Sequence, residues 1–148
     1  MIFSDDCFLK DDGDTAAYGA WLAEQLSPGD VVYLLGELGA GKSTLARGLI
    51  RALTTPDEDV PSPTFTLVQT YEGRDFDIAH FDLYRLTDPE EVHEIGLFEL
   101  ADTHLCLIEW PQRLEGLRLG HFAFDAPWIV RLKEEDSGRR VTLERPGQ

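Results

Sequence analysis

Gly36-Glu37-Leu38-Gly39-Ala40-Gly41-Lys42-Ser43 sets glycines, an ammonium group and a hydroxyl in the spacing GxxxxGK[ST]. The glycines let the backbone turn tightly, so that successive N–H groups converge on phosphate oxygens. Lys42 adds a point charge for β- and γ-phosphates, and the Ser43 hydroxyl is a suitable Mg2+ ligand. With Thr44 opening the helix behind them, residues 36–44 make a phosphate cradle. Chemistry on a phosphate chain held this way needs an acid at the tip of a neighbouring strand, to hold the cation or orient water. Two carboxylates qualify. Glu109 ends the apolar run LCLIE, and Asp82 sits in His80-Phe81-Asp82-Leu83-Tyr84-Arg85. Thr64, in Ser62-Pro63-Thr64, is placed either to sense the γ-phosphate and metal as a switch residue or simply to start a strand. Trp110, next to Glu109, either packs in the core or lines the nucleotide or a partner surface. His80 reads as a strand residue packed near the site.

The cradle works only between a buried strand and a helix. VVYLL, residues 31–35, is a continuous apolar, β-branched run, as expected of a strand covered on both faces. Residues 44–53 carry helical spacing through Leu45, Leu49 and Leu53, and the N-terminus of that helix adds unpaired N–H groups and a positive dipole end. Upstream, Tyr18, Leu22 and Leu26 predict a helix over residues 15–26 with Asp14 as its N-cap. Downstream, residues 54–59 form a polar loop, and the prolines of PSPTF forbid helix. Residues 64–71 and 75–84 read as strands around Glu72-Gly73-Arg74, and Asp88-Pro89-Glu90-Glu91 opens a short helix ending before Gly96. Residues 105–109 form another buried strand, and residues 129–133 and 139–143 a hairpin around Asp136-Ser137-Gly138. The expected fold class is α/β: a single P-loop NTPase domain over residues 1–148, with a mixed, partly parallel central sheet flanked by helices. The C-terminal hairpin, about residues 121–145, belongs to the same domain.

Composition narrows the function. The 148 residues are 43% hydrophobic and 28% charged, enough apolar surface for one packed core and too little chain for two ordinary domains. Cys7 and Cys106 have no disulfide or metal spacing, and His80, His93, His104 and His121 have none either. No run approaches the ~18 apolar residues of a membrane span, and the acidic start is unlike a signal peptide. A cytoplasmic protein without membrane contact is therefore expected. Acidic residues number 28 against 13 basic ones, a net charge of -15, which disfavours direct nucleic-acid binding. Only residues 31–54 and 116–148 are non-negative, so an anion is welcome there alone.

No [NT]KxD guanine clamp is present, the only lysines being Lys10, Lys42 and Lys133, so ATP is the expected nucleotide. The base pocket has no motif. Residues 12–15 and the basic hairpin (Arg131, Lys133, Arg139, Arg140) are candidate walls, with a solvated charged edge the simpler reading of the hairpin.

GELGAGKSTLARGL, VPSPTFTLVQTYEG, HFDLYRLTDPEEVHEIG and LCLIEWPQ, in that order, resemble the TsaE (YjeE) family over residues 13–113. Glu37 and Ser43 stand where that family usually has Asp and Thr, and residues 54–59 lack its usual glycine. The resemblance implies a P-loop ATPase required for threonylcarbamoyladenosine formation on tRNA. Such a protein binds and hydrolyses ATP with Mg2+ while docked on the TsaB–TsaD complex, and hydrolysis resets that complex. It also implies that Lys42 holds the β- and γ-phosphates, that Ser43 and Glu109 hold the metal, and that Asp82 acts on the metal-bound or attacking water. Thr64 then reports nucleotide state and Trp110 lies beside the site. Contact with tRNA is expected to be indirect, because an acidic surface suits a basic protein partner better than RNA. The rival readings are a small-molecule or nucleoside kinase using the same P-loop and an ATP-gated assembly switch with negligible turnover.

Overall fold

The computed structural model describes residues 2–114, 124 and 126–147. In chain order it contains β1 (Asp6–Leu9), α1 (Asp12–Ala23), β2 (Val31–Leu35), α2 (Lys42–Leu53), β3 (Val68–Tyr71) and β4 (Ile78–Asp82). A 3-10 helix (Pro89–His93), α3 (Leu97–Thr103), β5 (Leu105–Glu109), a second 3-10 helix (Pro111–Leu114), β6 (Trp128–Glu135) and β7 (Gly138–Glu144) follow. The strands form one seven-stranded sheet in the order β1-β7-β6-β2-β5-β4-β3. β6, β2, β5 and β4 are mutually parallel, while β3 and β7 run antiparallel to their neighbours. The expected mixed α/β sheet is thus present. The expected hairpin is β6–β7, and residues 121–123 and 125 of its approach lie outside the described residues.

The continuous apolar runs are the strands buried on both sides. Alternation sends Val32 and Leu34 of β2, Leu105 and Leu107 of β5 and Ile78 of β4 into the core under α1 and α2. Val31, Tyr33, Cys106, Ile108, Ala79 and Phe81 enter a second core on the opposite face, with Leu97 and Ala101 of α3. On the first face α1 and α2 come unusually close, and two glycines allow it. A Cβ on Gly48 would lie 2.1 Å from the Ala16 carbonyl oxygen, and one on Gly19 would lie 2.2 Å from that of Leu45. Gly48→Ala is therefore expected to destabilise the protein by about 2 kcal/mol. Overpacking at roughly 1–3 kcal/mol exceeds the ~1 kcal/mol that alanine otherwise gains in a helix. Denaturant midpoints at unchanged slope test this, and an unchanged or raised midpoint would refute the close approach.

Several boundaries differ from the sequence reading, each for a local reason. α1 starts at Asp12, because the carboxylate of Asp11, not Asp14, caps it by accepting the Asp14 N–H at 2.9 Å. It also ends at Ala23, short of Leu26, although Leu26 is buried. β3 starts at Val68 because Leu67 has φ 68, a left-handed conformation that breaks an extended chain. The Leu67 N–H donates to the Pro63 carbonyl at 2.7 Å, so Thr64 lies in a turn and does not start a strand. β4 is likewise shorter than expected, and the register Tyr71↔Ile78 makes residues 72–77 the connecting loop. The short helix after Asp88 is a 3-10 helix with a capping box between Asp88 and Glu91. Three elements, β1, α3 and the second 3-10 helix, are absent from the sequence reading.

Candidate nucleotide site

β2 ends at the level of the P-loop, and alternation fixes what stands beside it. In β4, Ile78, His80 and Asp82 share one face; in β5, Leu105, Leu107 and Glu109 share the same face, the one beneath α2. Asp82 and Glu109 are register partners in the parallel β4–β5 pair, and Glu109 is also the partner of Leu34 in β2. Neighbouring strands lie about 4.8 Å apart. The two acids therefore stand side by side at the carboxyl end of the sheet, next to the first residues of α2.

The loop bends back through Gly39 (φ 83) and Gly41 (φ 107), conformations that L side chains rarely adopt. Gly41 is the N-cap of α2 and offers no side-chain cap, so the first-turn N–H groups remain available to an anion. The Lys42 ammonium donates to the Gly36 carbonyl at 2.7 Å and lies 3.9 Å from the centroid of the Trp110 ring. Burial lowers the Lys42 pKa from its ordinary value, and the charges of Glu109, Asp82 and Glu37 oppose that shift. Trp110 reaches this position because its backbone turns left-handed (φ 58) directly after β5, and its ring also packs 5.0 Å from that of Tyr84.

A cleft of about 400 Å3 opens over these groups. Of the residues expected at the site, Leu38, Gly39, Gly41, Lys42, Ser43, Thr44, Thr64, Asp82, Glu109 and Trp110 line it. Gly36, Glu37 and Ala40 do not. Gly36 serves through its carbonyl, Glu37 through its charge, and Ala40 is buried in the core. Ser62, Asp12 and Arg139 complete the lining. The carboxylate of Asp82 is held by its own chain: Oδ2 accepts from the Thr64 hydroxyl at 3.0 Å and Oδ1 from the Tyr84 N–H at 3.0 Å. Glu109 Oε2 lies 2.7 Å from His80 Nε2.

Arg139 belongs to the site, whereas the simpler reading of its hairpin placed it on a solvated edge. It shares the inward face of β7 with Val141 and Leu143, an alternation visible in the sequence. Its Nη2 pairs with Asp12 Oδ1 at 3.0 Å, and its guanidinium fills the space a Cβ on Gly41 would occupy. Nη1 is buried and has no hydrogen-bond partner among the described residues. Of the other candidate walls, Asp12 also lines the cleft, whereas Arg140 pairs with Asp6 and Glu135, and Arg131 with Glu144. The cleft thus joins Lys42 and Arg139, from the two non-negative stretches of the chain, at the open end of a helix.

Among the described residues no three His, Cys, Asp or Glu side chains cluster to hold a metal by themselves. The cleft donors beside Lys42 that are candidates for a cation (the Ser43 hydroxyl and the carboxylates of Asp82 and Glu109, Asp12 being paired with Arg139) are hard oxygens and too few for a cage. That donor set fits Mg2+ held partly by substrate phosphates. No helix among the described residues is long and apolar enough to cross a membrane.

Comparison with known proteins agrees with this architecture. A family model described as "Threonylcarbamoyl adenosine biosynthesis protein TsaE" matches residues 9–141. A protein of Rickettsia felis (strain ATCC VR-1525 / URRWXCal2), named tRNA threonylcarbamoyladenosine biosynthesis protein TsaE, is 41% identical over 109 residues, 74% of this chain and 64% of that protein's length. The protein of the same name from Rickettsia typhi (strain ATCC VR-144 / Wilmington) is 38% identical over 90% of this chain and 89% of its own. The crystal structure of Bacillus subtilus YdiB superposes with a TM-score of 0.77 at 26% identity, covering 99% of this chain and 88% of the other. With most of its length matched by that model, this chain belongs to the TsaE family of threonylcarbamoyl adenosine biosynthesis proteins.

Proposed function

We propose that this protein is a cytoplasmic, Mg2+-dependent ATPase that supports threonylcarbamoyladenosine modification of tRNA. In this reading it docks on the TsaB–TsaD complex and hydrolyses ATP to reset it. The observation that carries the reading is the side-by-side placement of Asp82 and Glu109 over the uncapped start of α2, facing Lys42. Lys42 and the first-turn N–H groups bind the β- and γ-phosphates, and Arg139 adds beside Gly41 its Nη1 donor, which has no partner among the described residues. Ser43 and Glu109 would hold the cation, which would supply charge neutralisation to the phosphate chain. Asp82, fixed by Thr64 and Tyr84, orients the attacking water, and Thr64 couples the 62–67 turn to that carboxylate. Trp110 covers the lysine and excludes water from it.

A partner role is supported by the rim of the cleft. Leu38 is 67% exposed and Phe65, next to Thr64, is 81% exposed, with the Arg85 guanidinium 4.5 Å from the Phe65 ring centroid. Large apolar groups left open beside a nucleotide site suit a protein surface that closes over it. The kinase reading calls for an arginine-rich lid, and among the described residues Arg139 is the one arginine lining the cleft. Phosphate release without any acceptor, accelerated by the purified TsaB–TsaD pair, is the expected result. ADP release that requires a small-molecule acceptor would favour the kinase instead, and tight binding without turnover, even with the pair present, an assembly switch. Arg139→Ala is expected to weaken ATP binding by about tenfold, the worth of one charge-assisted hydrogen bond, while Arg140→Ala leaves it unchanged. Calorimetric titration of both variants checks this, and equal affinities would remove Arg139 from the phosphate contacts.

A further inference from the structure

We propose that His80 is a positioning residue that holds Glu109 in its cation-facing orientation; the proposal rests on the nucleotide reading above. His80 and Glu109 are 2% and 3% exposed, and Nε2 lies 2.7 Å from Oε2. The other ring nitrogen, Nδ1, is buried with no partner among the described residues, so the carboxylate of Glu109 is the polar group this ring serves. An orphaned buried acceptor or donor costs about 1–3 kcal/mol. A leucine or phenylalanine would fill this position, beneath α2 between Ile78 and Asp82, without that cost. The imidazole is explained by what Nε2 does. Facing a carboxylate oxygen, Nε2 carries the proton and donates it, which fixes the Glu109 side chain through Oε2 and leaves Oε1 for the cleft. Groups that hold a metal-binding carboxylate from behind set its geometry, and their loss typically lowers metal affinity about 10–100-fold.

The test measures how strongly Mg2+ tightens ATP binding, from calorimetric affinities in EDTA and in saturating Mg2+. In His80→Leu this enhancement is expected to fall about tenfold with metal-free ATP affinity unchanged. His80→Gln, whose amide N–H2 reaches the place of Nε2, retains most of it. His80→Asn, whose amide stops short, behaves as His80→Leu does and serves if the leucine variant fails to fold. On a Glu109→Ala background, His80→Leu costs nothing further, because the residue acts through Glu109; a merely structural histidine would show the same loss on both backgrounds. Undiminished Mg2+ enhancement in the leucine and asparagine variants, or an equal loss with and without Glu109, would overturn the role of His80 alone. Absence of any Mg2+ effect in the unaltered protein would overturn the nucleotide reading, and this proposal with it.

Discussion

Lys42→Ala is expected to abolish tight ATP binding, lowering affinity by at least about 100-fold in a calorimetric titration. The size follows from the surroundings of the ammonium group. Lys42 is 6% exposed, and Glu109, Asp82 and Glu37 all act on it electrostatically. Its removal deletes the attraction to the triphosphate and leaves those carboxylates facing the same anion. Truncating one partner of a buried charge pair costs about 2–5 kcal/mol, and each 1.4 kcal/mol is a factor of about ten. Folding is spared, because Lys42 opens α2 and the core residues Leu45, Ala46, Leu49 and Ile50 are untouched. Lys42→Arg is expected to recover only part of the affinity: a planar guanidinium keeps the charge but not the compact fit under Trp110. Affinity equal to the unaltered protein in Lys42→Ala, with unchanged circular dichroism, would remove the phosphate cradle.

What could be read from the sequence and what could not divide along the range of the interactions. β2, α2 and β5 were legible because each is specified within its own segment: a β-branched apolar run, an i, i+4 leucine pattern, and an apolar run ending in an acid. The cradle was legible because glycine is required where φ is positive, and the motif records that requirement directly. β1 was not, because Asp6–Leu9 is a short edge strand with acidic residues before and after it, and its pairing with β7 lies at the far end of the chain. α3 is seven residues long, and its stability comes from packing Leu97 and Ala101 on the sheet rather than from periodicity. The late start of β3 depends on Leu67 adopting a left-handed conformation, which no propensity scale assigns to leucine. Arg139 was the instructive case. Its charge pointed to solvent, whereas its alternation with Val141 and Leu143 pointed inward, and the alternation prevailed because Asp12 and an open cleft give the guanidinium a polar destination.

The two carboxylates offer a sharper division of labour than their adjacency suggests. Asp82 has both oxygens engaged by Thr64 and Tyr84, whereas among the described residues Glu109 is engaged by His80 at Oε2. Glu109→Ala is expected to lower hydrolysis at least about tenfold and to raise the Mg2+ concentration needed for half-maximal rate, since the proposed cation ligand is lost. Asp82→Asn keeps the volume and one acceptor oxygen but removes the charge proposed to orient water. Its rate should fall by a similar factor at saturating Mg2+, with the metal requirement little changed. Neither substitution weakens metal-free ATP binding, because each removes a negative charge facing a polyanion, and electrostatics then favours equal or tighter binding. The pair of measurements, rate against Mg2+ and affinity in EDTA, therefore separates loss of a ligand from loss of a water-orienting base. Full hydrolysis in both variants would remove the metal site from the cleft. A raised Mg2+ requirement in Asp82→Asn but not in Glu109→Ala would exchange the two roles, because only the residue touching the cation can change how much of it is needed.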